Sequence, residues 1–141
     1  MDTFPGGFPN KIGVMVQTTH RMEDFARFVG NLMVLQRDRN FEFNVVNTLC
    51  HATTGQQEAA AALAQTVDVM IVVGGRKSAN TRNLKEVCDE LGTRSYHVEG
   101  ADELDGTWFA GVERVGLTAG ASTPDYSIDE VEARIRQLAP A

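Results

Sequence analysis

The stretch "VDVMIVVGG", residues 67–75, decides the fold. Apart from Asp68 it is apolar until two glycines stop it, and it is too short for a core helix. A continuous apolar run of this length is the pattern of a strand covered on both faces, which is the position strands occupy in parallel sheets. Outward from it, "IGVMVQ" (12–17), "FNVVN" (43–47), "SYHV" (95–98) and "RVGLTAG" (114–120) read as four more strands.

Helical periodicity fills the gaps between them. Phe25, Ala26, Val29, Leu32 and Met33 mark one apolar face, and Ala59, Ala60, Leu63 and Ala64 a second. Leu84, Val87, Cys88 and Leu91 mark a third, and Ile128, Val131, Ile135 and Leu138 the last. Thr54 with Gln57 has capping-box spacing, and Thr123 before Pro124 supplies an N-cap and a first-turn proline. Strict alternation of strand and helix predicts an α/β fold, a three-layer αβα arrangement with a mostly parallel sheet of four to five strands.

The bulk composition narrows the function. With 141 residues, 43% of them hydrophobic, the chain can bury a core without staples. Its net charge of -6 argues against nucleic-acid or anionic-membrane partners, which reward clustered Lys and Arg. Two cysteines at unrelated spacing form no disulfide framework, which suits a reducing cytoplasm. The opening "MDTFPGGFPN" has no signal-peptide shape and reads as a leader or linker over residues 1–10.

In folds of this class ligands meet the carboxyl ends of the strands, where helix N-termini also point. The residues there are Gln17-Thr18-Thr19, then Thr48-Leu49-Cys50-His51, then "GGRKSAN" (74–80), and last Ala119-Gly120-Ala121-Ser122. Ser78, Asn80 and Ser122 serve either as helix caps or as neutral donors to an anion. "GGRKSAN" is neither a Walker loop nor a dinucleotide fingerprint. Cys50, between a strand and a helix start, is either a reactive or metal-binding thiolate or a small buried hydrophobe. Cys88 lies on an apolar stripe, and His20, His51 and His97 share no metal-ligand spacing.

Taken together, "VMVQTTHRMEDF", "NTLCHATTGQQEAA", "DVMIVVGGRKSANTRNL" and "VGLTAGASTPDYSIDEV" resemble the C-terminal half of the LytB/IspH family, 4-hydroxy-3-methylbut-2-enyl diphosphate reductase. The resemblance runs from Lys11 to Leu138 and implies an iron-sulfur enzyme that reduces an allylic diphosphate to isopentenyl and dimethylallyl diphosphate. It implies that Cys50 is a ligand of a [4Fe-4S] cluster and that Ser78, Asn80 and Ser122 hold the substrate diphosphate. It also implies that Thr18 lies near the substrate hydroxyl, with Gln17, Thr19 and Gly120 in support. Ala79 departs from the serine often found at its position.

The family's other two cluster cysteines, its diphosphate-clamping histidines and its proton-delivering glutamate have no counterpart in "MDTFPGGFPN". The expectation is therefore a part of the reductase, inactive by itself and without a cluster of its own. Its partner would be the missing N-terminal half or a second copy. Residues 11–46 are expected to be a β-α element of the family's middle domain, and 47–141 the C-terminal domain. The alternative is a noncatalytic domain that binds a phosphate ligand or an interaction partner.

Overall fold

A computed structural model describes residues 7–138. The chain forms two compact units that divide between Cys50 and His51. All five expected strands and four helices are present, and every strand pairing is parallel. The strands divide into a two-stranded and a three-stranded sheet, so the expected strand count holds only for the two sheets together. Residues 1–6 of the expected leader lie outside the described residues.

The first unit is a β-α-β element: β1 (Lys11–Met15), α1 (Met22–Asp38) and β2 (Glu42–Val46). Period-2 alternation half-buries Ile12, Val14, Phe43 and Val45 and leaves the residues between them exposed. Phe41 is buried, and its ring meets Phe8 edge-on at 5.1 Å. On α1 the inward stripe is Phe25, Val29, Leu32 and Leu35, following the helical period. Ala26 and Met33 fall off that stripe and are exposed, contrary to their expected place on the apolar face.

The second unit runs α2 (His51–Ala64), β3 (Val69–Val73), α3 (Ala79–Glu90), β4 (Arg94–Val98), β5 (Val115–Ala119) and α4 (Asp125–Leu138). Sheet order is β4-β3-β5, and every residue of the central strand is buried. Its side chains alternate between two cores. Val69, Ile71 and Val73 pack with Val98, Phe109, Val131 and Ile135, while Met70 and Val72 pack with Ala60, Ala64, Leu84 and Cys88. Helix α4 therefore covers one face and α2 with α3 the other, which is why the sequence of β3 is apolar without alternation.

Burying one such Val, Ile or Met is worth about 1.5–3 kcal/mol. Gly116 of β5 makes room for Met70: a Cβ there would stand 2.3 Å from the Met70 sulfur. Two local expectations, for Thr54 and Leu91, differ from the structure. Helix α2 begins at His51, so Thr54 lies inside it rather than at its N-cap position. The Thr123 hydroxyl donates to the Val73 carbonyl at 3.1 Å, tying the start of α4 to the sheet. Leu91 stands at the end of α3, 45% exposed, rather than on its apolar face.

Candidate functional site

In the second unit β3 and β5 pair with Val73 opposite Ala119, so Gly74 and Gly120 leave the sheet side by side. The Gly120 N–H donates to the Val73 carbonyl at 2.9 Å, extending the ladder by one bond. From Gly74 the chain turns through Ser78 into α3, and from Gly120 through Ser122 toward α4. Two helix starts and their unspent N–H groups thus stand at one end of one sheet, an arrangement suited to anions.

Ser78 is half-buried and caps α3, its Oγ accepting from the Thr81 N–H at 3.3 Å. Capping uses a lone pair and leaves the hydroxyl proton to donate. Asn80 is 5% exposed, and its Nδ2 donates to Gln56 Oε1 at 3.1 Å. Its Oδ1 has no hydrogen-bond partner among the described residues. Ser122 is exposed.

Gly120 has a packing reason of its own: a Cβ there would lie 2.3 Å from Thr81 Oγ1 and 3.4 Å from Thr123 Oγ1. Gly74, at φ +152°, faces the same two hydroxyls at 2.5 and 3.0 Å. Sequence reasoning missed Gln56, Thr81 and this notch. Nothing in "NTRNL" separates Thr81 from an ordinary polar helix residue.

The first unit holds the other candidates. Gln17, Thr18 and Thr19 follow β1, and the Thr18 carbonyl accepts from the Cys50 N–H at 3.0 Å. Thr48, singled out in the sequence only by its place after a strand, latches the ends of β1 and β2. Its Oγ1 accepts from the Val16 N–H at 3.1 Å and donates to the Val16 carbonyl. Asn47 Oδ1 accepts from the Leu49 N–H at 3.0 Å, closing the turn that leads to Cys50.

Cys50 is exposed and outside any disulfide, at the residue before α2. Cys88 is fully buried in the core with Ala60, Ala64 and Leu84, and burial, with the neighbouring Asp89 carboxylate, pushes its thiol pKa up. Among the described residues no three His, Cys, Asp or Glu side chains gather to hold a metal ion. Iron–sulfur clusters ordinarily take several cysteines. The donor set of the described residues therefore does not fit a cluster by itself.

A groove of about 710 Å³ lies elsewhere on the second unit, lined by Arg76, Arg82, Lys85, Tyr96, His97 and Trp108 among others. Arg76 pairs with Glu103 and Lys85 with Asp89, each at 2.6 Å, so much of its positive charge is already compensated.

Fold and site together define an α/β protein with parallel sheets, in which β3 and β5 lead toward helix starts at the same end of one sheet. Residues 2–136 match the LytB protein family, and the chain belongs to that family. It is 52% identical over 128 residues to 4-hydroxy-3-methylbut-2-enyl diphosphate reductase of Geobacter sulfurreducens, covering 91% of this chain and 44% of that protein. To the enzyme of the same name from Aquifex aeolicus it is 44% identical over 128 residues, covering 91% of this chain and 43% of the relative.

Among solved structures it is similar to (E)-4-hydroxy-3-methyl-but-2-enyl diphosphate reductase, described as the terminal enzyme of the non-mevalonate pathway. That match has a TM-score of 0.62 at 44% identity and covers 92% of this chain and 44% of the other. The Plasmodium falciparum diphosphate reductase matches with a TM-score of 0.78 at 27% identity, over 90% and 40% of the two chains. The chain thus spans less than half the length of these relatives. No helix among its described residues is long and apolar enough to cross a membrane.

Proposed function

We propose that this chain supplies the diphosphate-holding part of a 4-hydroxy-3-methylbut-2-enyl diphosphate reductase, which forms isopentenyl and dimethylallyl diphosphate, and that its 141 residues alone are inactive. The observation that carries the reading is the pair of helix starts beyond Gly74 and Gly120, bearing Ser78, Asn80 and Ser122. Neutral donors and helix dipoles hold a diphosphate without the desolvation cost of a buried charge pair. In this reading Thr18 contacts the substrate hydroxyl, with Gln17 and Thr19 in support, and Cys50 gives one thiolate to a [4Fe-4S] cluster completed by other polypeptide. That polypeptide is the remainder of the reductase. The two cysteines stand outside disulfides, in keeping with a cytoplasmic setting.

The reduction itself is not assigned to residues of this chain, because a lone exposed thiol does not make a cluster site. What the chain does by itself is bind an anion. Binding of about millimolar strength corresponds to about 4 kcal/mol, in reach of a few neutral donors. Pyrophosphate at about ten times its dissociation constant should then stabilise the fold by about 1.4 kcal/mol. Thermal melts with pyrophosphate against sodium chloride at equal ionic strength test this. A shift that Asn80→Ala with Ser122→Ala removes supports the reading; no shift in the unaltered chain, or one the double substitution leaves intact, refutes it.

A second reading, a phosphate-binding domain without redox work, draws on the single exposed cysteine. Addition of a reductase N-terminal half decides between the two, since only the first predicts that activity then appears.

A further inference from the structure

Thr81 is 1% exposed, and its hydroxyl has no hydrogen-bond partner among the described residues. An unpaired buried hydroxyl is destabilising, and an apolar group in its place would escape that cost. The oxygen does, however, fill a space a methyl group would overfill. A Cβ at Gly74 or Gly120 would come within 2.5 or 2.3 Å of it, so two backbones close on this one atom. Thr81 also receives the cap from Ser78, follows Asn80 in α3, and abuts the glycine that leads to Ser122. Thr123 stands beside both glycines as well, but its hydroxyl is spent on the Val73 carbonyl, whereas Thr81 approaches both more closely with its hydroxyl unspent among the described residues.

We propose that Thr81 is a positioning residue: its hydroxyl, wedged between Gly74 and Gly120, sets the offset between the α3 start with Ser78 and Asn80 and the loop with Ser122, and so selects diphosphate over single tetrahedral anions. The inference rests on the anion-site reading above. A two-centre anion needs both loops at a fixed spacing. A one-centre anion touches one loop and is indifferent to the spacing. The wedge therefore acts on the ratio of the two affinities, which a loss of overall stability would leave unmoved.

The test measures pyrophosphate and sulfate binding by titration calorimetry on the 141-residue chain, well below its melting temperature. The unaltered chain should prefer pyrophosphate. Thr81→Ser should keep that preference, whereas Thr81→Val, which thickens the wedge, should lower it about tenfold, the loss of one or two hydrogen bonds, with sulfate affinity unchanged. An unchanged ratio in Thr81→Val overturns the positioning role. Failure of the unaltered chain to bind pyrophosphate overturns the anion-site reading and the inference with it.

A double-substitution cycle keeps the wedge testable if Thr81→Val does not fold. Gly120→Ala alone should lower the melting temperature, because its methyl meets the Thr81 hydroxyl. In a Thr81→Ala background the same change should be nearly silent, since no remaining contact would be closer than 3.4 Å. Equal costs in the two backgrounds would overturn the wedge.

Discussion

The Cys50 amide donates to the Thr18 carbonyl at 3.0 Å, so the exposed cysteine is held by backbone to the loop that follows β1. Thr48 reinforces the link by taking both main-chain groups of Val16. The thiol is thus presented at the surface by a braced segment, whereas Cys88 is sealed on the inner face of α3 with its pKa raised. Thiol reactivity follows exposure and thiolate fraction. In the native chain one thiol, Cys50, should react promptly with a disulfide reagent, and the second only after denaturation. Mass-mapped labelling at Cys88 in the folded protein would contradict this arrangement.

Asp68 ties the beginning of β5 to the beginning of β3. Its carboxylate accepts from the Arg114 N–H at 2.8 Å and the Glu113 N–H at 3.0 Å, and these two bonds lower its pKa from the ordinary 3.8. The folded chain therefore binds this proton less readily than the unfolded chain does. The stabilisation is present above the unfolded value near 3.8 and is lost as pH falls through the lowered folded value. Asp68→Asn should flatten the acid limb of a stability–pH profile in that window and change its neutral slope little. An unaltered acid limb would show that the carboxylate is not a titrating tie.

The contrast between β3 and Thr81 shows how far sequence reading reaches here. A strand sealed on both faces announces itself by composition, so "VMIVV" was legible without any knowledge of its neighbours. The α1 stripe was half legible, because Phe25, Val29 and Leu32 keep the helical period while Ala26 and Met33 are apolar residues that happen to be exposed. Caps were less so: Thr54 and Gln57 have the right spacing but sit within a helix that begins at His51. At the candidate site, Ser78, Asn80 and Ser122 could be singled out from their place after strands. Gln56 and Thr81 could not, since what marks them is contact with Asn80, Gly74 and Gly120, distant in sequence except for Asn80 and Thr81.

The cluster makes a third expectation. With Cys88 sealed and no three candidate ligands gathered among the described residues, anaerobic reconstitution of the 141 residues alone should leave no stoichiometric iron or sulfide. Mixing with a polypeptide that brings further cysteines should produce a brown complex, and Cys50→Ser should prevent it or leave a cluster that is readily lost. Stoichiometric cluster on the unaltered chain, for instance in an assembly that gathers several Cys50 thiols, would overturn the need for another polypeptide.

The first unit carries the last expectation. Met15 and Val46 are cross-strand partners in the β1–β2 ladder, and both point outward, 74% and 51% exposed. Met33, Val34 and Phe28 on α1 are likewise more than half exposed. Apolar side chains scattered singly mean little, but adjacent ones mark surfaces that meet a partner. At high concentration, with no other polypeptide present, the available partner is a second copy. Sedimentation should therefore show reversible association that grows with concentration. Met15→Lys with Val46→Lys should weaken it about tenfold or more, because charge placed in an apolar contact must be desolvated without a partner. Both positions face away from the half-buried row formed by Ile12, Val14, Phe43 and Val45, so the double variant should melt close to the unaltered chain. A strictly monomeric unaltered chain, or association untouched by the two lysines, would show that this face is not where the copies meet.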